Sequence, residues 1–167
     1  VAPVRGERLL VLQSLAEEDR GSFIEQRVSI SDEKAYALSA HGCAFTTSSV
    51  SIEVELDFLD SDRMVLETHG PFVAPIPGNA GPKAEWSRFG LTFWSEVTEE
   101  RGLPDFSEYA FPRTTGIQTP VGAREVAVRF YLGTGSEVGL DAIQIEEGYR
   151  PGLYTRIPKG ADMTIEY

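Results

Sequence analysis

Between Ser49 and Leu59 apolar and polar side chains alternate without a break. Val50, Ile52, Val54, Leu56 and Phe58 take one parity; Ser51, Glu53, Glu55 and Asp57 take the other. Period two over about ten residues predicts a β-strand with one face in a core and the other wet. The same pattern recurs from Arg124 to Leu132, where Val126, Val128, Phe130 and Leu132 point inward. It recurs at Tyr36, Leu38 and Ala40, and from Phe23 to Ile30, where Gln26 breaks the Ile24, Val28, Ile30 series. Trp86 to Trp94 reads as a strand with Phe89, Leu91 and Phe93 on one parity and Trp86, Arg88 and Trp94 on the other. Leu9 to Leu12 is a short apolar run expected to form the first strand.

One strand changes phase. In the run Glu137 to Glu147, Val138 and Leu140 share a parity, and Ile143 and Ile145 take the other. The apolar set therefore changes face near Asp141-Ala142. Either both faces are covered there, or a bulge resets the register. Asp141 sits at the change, and a buried carboxylate at that point needs hydrogen-bond donors or a cation. Glu146-Glu147-Gly148 is expected to end the strand.

Polar turns separate the strands: Ala16 to Gly21, Ser31 to Lys34, and Asp60 to Arg63, after which Met64 to Glu67 returns the chain. Gly133-Thr134-Gly135 is expected to be a hairpin turn. Two stretches interrupt the pattern as long loop insertions. His69 to Glu85 holds Pro71, Pro75, Pro77 and Pro82, and is not expected to stay regular for long. Ser95 to Thr119 is the second, with one helical turn expected near Glu96 to Arg101. Many short strands with polar turns predict an all-β, two-sheet sandwich.

Composition narrows the partners. The chain has 167 residues, one natural domain with core enough of its own. Its net charge of -11 repels phosphate, which argues against nucleic acid and anionic membrane surfaces. The single Cys43 rules out an internal disulfide and a cysteine-rich zinc site. No apolar run approaches a membrane span, so no membrane insertion is expected. The chain starts at Val1 without methionine, as expected of a processed product or an excised piece of a longer protein.

Catalytic constellations are sparse. Glu53, Glu55 and Asp57 share a strand face with neighbours about 7 Å apart, a spacing seen in glycosidase carboxylate pairs. Those pairs normally come from different strands around a cleft, and a solvated outer face explains the series better. His41 and His69 lack a serine or cysteine partner in a nucleophile setting, and Cys43 shares the His41 face without further support. The turn with Asp57, Asp60 and Asp62 lacks the glycine and late glutamate of an EF-hand, so it reads as a plain turn.

Aromatic side chains are the other resource. With the phenylalanines of Trp86–Trp94 inward, both tryptophans point outward or under the long loops. Sugar sites combine such apolar walls with a few placed polar groups. Arg88 is then the polar partner, and Tyr109, Phe106 and Phe111 of the second insertion stand near enough in sequence to join. The alternative is that these aromatics pin the loops to the sandwich.

The run Leu140-Asp141-Ala142-Ile143-Gln144-Ile145-Glu146-Glu147-Gly148, with Pro151 and Tyr154 after it, resembles the last core strand of carbohydrate-binding-module-type jelly rolls. Upstream, Tyr36–Ala40, the strand and acidic turn Ile52–Asp62, and Trp86-Ser87-Arg88 with Pro120-Val121-Gly122-Ala123 resemble that family in order. The resemblance covers about Tyr36 to Tyr154 and speaks to fold far more than to ligand. Such domains, often called galactose-binding-like, occur beside glycoside hydrolases and in bacteriophage tail proteins. The resemblance implies a single antiparallel jelly roll over 1–160, with 161–167 a terminal strand or a linker to a further domain or subunit. It also implies a structural calcium ion, and by residue that maps only Asp141; Glu25 or early carbonyls are the suggested companions, and backbone N–H groups at the bulge are the rival partners.

Two functions follow as expectations. One is a non-catalytic module of a phage tail or virion protein, part of a homo-oligomer, contacting other tail subunits and a host-surface glycan. The other is a secreted carbohydrate-binding module excised from a bacterial glycoside hydrolase. A free-standing enzyme is the weakest of the readings. The expected ligand-binding residues are Trp86, Arg88, Trp94 and Tyr109, in a groove where the two insertions flank Trp86–Trp94. The acid-rich chain makes a neutral glycan the expected ligand.

Overall fold

A computed structural model of the chain describes residues 10–13, 23–79, 85–94, 117–132 and 136–148. Among these, nine strands and no helix are present: β1 Leu10–Gln13, β2 Phe23–Ser29, β3 Tyr36–Ala44, β4 Val50–Leu59, β5 Val65–Ile76, β6 Ser87–Trp94, β7 Ile117–Gln118, β8 Glu125–Leu132 and β9 Glu137–Glu147. They form two packed sheets. The first, sheet A, has the order β1-β9-β3-β6-β7, and the second, sheet B, the order β2-β8-β4-β5. All pairs are antiparallel except the short β6–β7 pair, which is parallel. This is the predicted all-β sandwich of jelly-roll type.

The alternation sets the core. Ile52, Val54, Leu56 and Phe58 of β4, and Val126, Val128 and Phe130 of β8, are fully buried, with Val50 packed against them at the margin. Aromatic edges join the sheets: Phe58 of sheet B meets Phe93 of sheet A at 5.4 Å, and Phe130 meets Phe89 at 6.4 Å. A one-residue slip of any of these strands would turn its apolar set to solvent, so the burial pattern pins the register.

The phase change in β9 is a bulge. Across from β3, Ser39 pairs Gln144 but His41 pairs Asp141, so β9 carries one extra residue there. Ala142 takes φ 52°, the left-handed region that a residue with a Cβ adopts only under constraint. The bulge is the reading that the register bears out; the neighbouring β3 is buried on its outward side at Ala37, Ser39 and Cys43.

Three loop expectations are corrected. The proline-rich stretch after His69 does not leave regular structure at once: β5 continues through Pro71 and Pro75 to Ile76. It is the last strand of sheet B, and a proline's missing amide costs nothing where no further strand needs it. The strand also bends. Val54 pairs Phe72 while Leu56 pairs His69, which leaves an extra residue at Gly70-Pro71. Secondly, β8 and β9, expected to be joined as a hairpin across 133–135, belong to different sheets, and 133–135 lie outside the described residues. Alternation along each strand cannot reveal which strands are neighbours. Thirdly, the second insertion contributes a strand, β7. The expected turn at 96–101 and the segment 161–167 lie outside the described residues.

The Pro120–Ala123 motif has a structural role. Gly122 adopts φ 90° in a tight turn closed by the Ala123 amide on the Pro120 carbonyl at 3.1 Å. The turn presents the Gly122 amide to the Asp32 carboxylate at 2.6 Å, and Arg124 donates to the same carboxylate at 2.7 Å. These donors, the Gly122 amide first, hold the Asp32 carboxyl below the usual range. The acidic turn after β4 closes on itself in the same way: Asp60 accepts from the amides of Asp62 and Met64 at 2.8 and 2.9 Å.

Gly70 gives the sharpest test of the β5 bulge. It sits at φ 121°, and a Cβ there would lie 2.7 Å from the Val54 carbonyl oxygen. Gly70→Ala should therefore lower stability by about 1–3 kcal/mol in urea unfolding. A neutral result would mean that the bulge is not where the register places it.

Candidate functional site

Of the residues expected to bind ligand, Arg88 and Trp94 lie on the outward side of sheet A. Strand pairing sets Arg88 of β6, His41 of β3 and Asp141 of β9 in one row. Arg88 and Asp141 thus stand on the two strands that flank β3. Arg88 reaches the Ser39 hydroxyl at 3.4 Å, and Asp141 accepts the Ala142 amide at 2.7 Å. Tyr109 lies outside the described residues.

Trp94 corrects the expected stacking platform. It shares the outward parity of Arg88 but is 1% exposed, so its ring offers no face to a sugar. Trp86, just before β6, is half-buried. Parity told which side of β6 Trp94 takes, and it could not tell that this side is itself covered. Thr92, Ser39 and Gln144 on the same side are also buried.

Asp141 is half-buried. Its bond to the Ala142 amide is the backbone role that rivalled calcium. Its row neighbours are His41 and Arg88. Among the described residues no group of three His, Cys, Asp or Glu could hold a metal ion. Glu25, the suggested companion, is on β2 of the other sheet and bonded to two arginines.

The outward side of sheet B carries a larger constellation. Register lines up Phe23, Tyr131, Glu53 and Val73 in one row across β2, β8, β4 and β5. The next row is Glu25, Arg129 and Glu55, and the one after is Arg27, Ala127, Asp57 and Thr68. Arg129 is the centre. Its Nε donates to Glu25 Oε2 at 2.7 Å, and its Nη1 lies 2.6 Å from Asp57 Oδ2 and 3.4 Å from Glu55 Oε1. The partners are themselves fixed. Arg27 Nε donates to Glu25 at 2.6 Å, Thr68 Oγ1 to Asp57 at 2.6 Å, and the Tyr131 hydroxyl to Glu55 at 3.3 Å.

Electrostatics follow from this geometry. Burial pushes the Glu25 carboxyl up, but hydrogen bonds and charge from Arg27 and Arg129 outweigh it and leave it below its ordinary value. Burial acts against the Arg129 cation, and the Glu25 and Asp57 carboxylates more than compensate, so the guanidinium is held firmly charged. Tyr131 is pushed up by burial and by the nearby Glu55 carboxylate. Beside this network lies an aromatic pair. Phe23, 41% exposed, tilts against Tyr131 with centroids 5.4 Å apart, and the Arg129 guanidinium stands 5.6 Å over the Phe23 ring.

Glu53, Glu55 and Asp57 share the outward face of β4, as their parity predicts, but this face is not merely solvated. Asp57 is 5% exposed and ion-paired. The available signal was that Glu25 and Arg129 also sit on the outward parity of their strands. What was missing was the strand order that sets β8 between β2 and β4.

No protein-family model matches the chain, and the search of curated proteins finds no match. Solved structures do resemble it. The enzymatically active domain of tailspike protein 4 of bacteriophage CBA120 matches 83% of this chain at 10% identity and a TM-score of 0.50. An exo-β-agarase matches 89% at 14% identity and a TM-score of 0.51. A CBM4 structure matches 78% at 15% identity and a TM-score of 0.43, too distant to argue from. The chain spans 15% of the tailspike chain and 22% of the agarase chain. At these identities the likeness establishes the β-sandwich fold, in accord with the resemblance seen in the sequence.

Two outcomes test this description. Trp94→Ala should cost about 3–5 kcal/mol in denaturant unfolding, as truncation of a buried indole does; a silent substitution would mean an exposed ring. Arg129→Met should cost about 2–3 kcal/mol at pH 7, less than for a fully buried pair because the Arg129 side chain keeps 23% of its exposure. The sign with pH is fixed. Glu25 titrates below its ordinary 4.5 in the folded chain, so its contribution is complete above about that pH and fades as pH falls through the lowered value. Unfolding free energies between pH 2 and pH 7 should show a smaller acid loss in Arg129→Met than in the native chain.

Proposed function

We propose that this chain is a non-catalytic glycan-binding module, and that its ligand lies on the outward face of sheet B. The observation that carries the reading is the Phe23–Tyr131 pair set one row from the Glu25–Arg129–Glu55 row. A sugar ring stacks on an aromatic side chain while its hydroxyls bond fixed polar groups, and this face supplies both on a rigid sheet. The site moves from the expected groove at Trp86, Arg88 and Trp94 because Trp94 is buried. Glu25, held below its ordinary value by Arg27 and Arg129, is a poor proton donor, which supports binding without hydrolysis.

The setting we favour is a phage tail or similar virion protein of galactose-binding-like type. There the module joins other subunits of a homo-oligomer and attaches to a host-surface glycan. The similar tailspike domain supports this setting, and the similar agarase supports the alternative, a secreted module beside a glycoside hydrolase. A glycan array followed by affinity measurements tests the reading. Phe23→Ala should reduce retention on the glycan that binds by about tenfold, the scale of one lost stacking contact. The half-exposed ring should cost little in melting temperature. Retention on no glycan at high protein concentration would end the proposal, as would full retention by Phe23→Ala.

A further inference from the structure

An arginine on a ligand-binding face usually advertises a site for carboxylate, sulfate or phosphate, because its fork matches those anions. Arg129 is differently placed. Its Nε is taken by Glu25 at 2.7 Å and its Nη1 by Asp57 at 2.6 Å, with Glu55 at 3.4 Å from the same nitrogen. One side of the guanidinium faces the Phe23 ring. The two close carboxylates cannot swing away cheaply. Glu25 is also held by Arg27 and Asp57 by Thr68, each at 2.6 Å.

The surrounding charge acts the same way. Of the described residues on this face, five are carboxylates (Glu25, Glu53, Glu55, Asp57 and Glu125) and two are arginines (Arg27 and Arg129). A ligand anion arriving here would meet this excess and would have to displace short ion pairs to reach Arg129. A sugar hydroxyl faces no such barrier. It is a donor, and ionised carboxylates keep acceptor sites beyond those that the arginines use.

We infer that Glu25 and Asp57 form a charge filter: by occupying Nε and Nη1 of Arg129, one nitrogen of each edge on which a bidentate anion would dock, they close this face to uronate and sulfated glycans and leave it to uncharged ones. The inference deepens the proposed glycan reading and rests on it. Glu25 and Asp57 are positioning residues in this account. They act through Arg129, and their removal should change what the face accepts rather than only how stable it is.

The test uses the whole chain and reads Arg129 directly. The side-chain Nε–Hε resonance of Arg129 is followed by NMR during titration with methyl glucuronide and, separately, methyl glucoside. In the native chain the glucuronide should leave the resonance in place. In the Glu25→Gln, Asp57→Asn double variant it should shift saturably, at glucuronide concentrations at least about tenfold below the highest that leaves the native resonance in place. The single Glu25→Gln variant, with its smaller loss of ion pairing, should show the same direction if the double variant does not fold. A saturable shift with glucuronide in the native chain, or none in a folded variant, overturns the filter. A parallel retention assay on paired polymers, hydroxyethyl cellulose against carboxymethyl cellulose and agarose against sulfated carrageenan, separates the two layers. Retention of the native chain on an anionic member at least as strong as on its neutral partner also overturns the filter. Absence of retention on every glycan, with the Arg129 shifts as expected, counts against the glycan reading and leaves the filter standing.

Discussion

A single guanidinium, that of Arg129, is satisfied from both neighbouring strands of the central strand on which it sits. Glu25 reaches it from β2, and Glu55 and Asp57 reach it from β4. The arrangement depends on the core beneath. Val128 and Phe130 on either side of Arg129 are fully buried, so a shift of β8 by one residue would drive the guanidinium into hydrocarbon. Hydrophobic burial and ion pairing therefore select the same register from opposite faces of one sheet. Agreement between levels of this kind is what gives a sequence one structure in place of several.

The two sheets divide the work. Sheet A is buried on both sides along β3, with Leu38 and Ala40 inward and Ala37, Ser39 and Cys43 outward. Its outward polar row, Arg88, His41 and Asp141, is set beside the buried Trp94 and the strained Ala142. Sheet B keeps its outward side half open, with Phe23, Val73 and the hairpin residues Met64, Val65 and Leu66 exposed. Rigid strands thus present the polar and aromatic rows of sheet B to ligand without a loop having to order first.

The sequence was most legible where one strand's own period decides the outcome. The β4 and β8 cores, the bulge at Asp141-Ala142 and the end of β9 at Gly148 were all readable, because alternation and its interruption are local. Strand neighbours were not readable. That gap made Gly133–Gly135 look like a hairpin, and it hid the meeting of Glu25, Arg129 and Asp57, which lie far apart in the chain. The prolines of β5 misled for a related reason: they forbid a central strand and permit an edge strand, and only topology distinguishes these. Trp94 failed on a further point. Parity gives the side of a sheet, and exposure depends on what covers that side.

The central claim is that the outward face of sheet B is the binding face. Amide hydrogen exchange, compared residue by residue with and without a saturating glycan that the chain retains, tests it most directly. The account predicts slower exchange in β2, β8 and β4, centred on Phe23, Arg129, Tyr131 and Glu55, with sheet A unchanged. Protection confined to β3, β6 and β9 around His41, Arg88 and Asp141 would contradict it and return the site to the tryptophan side of the sandwich.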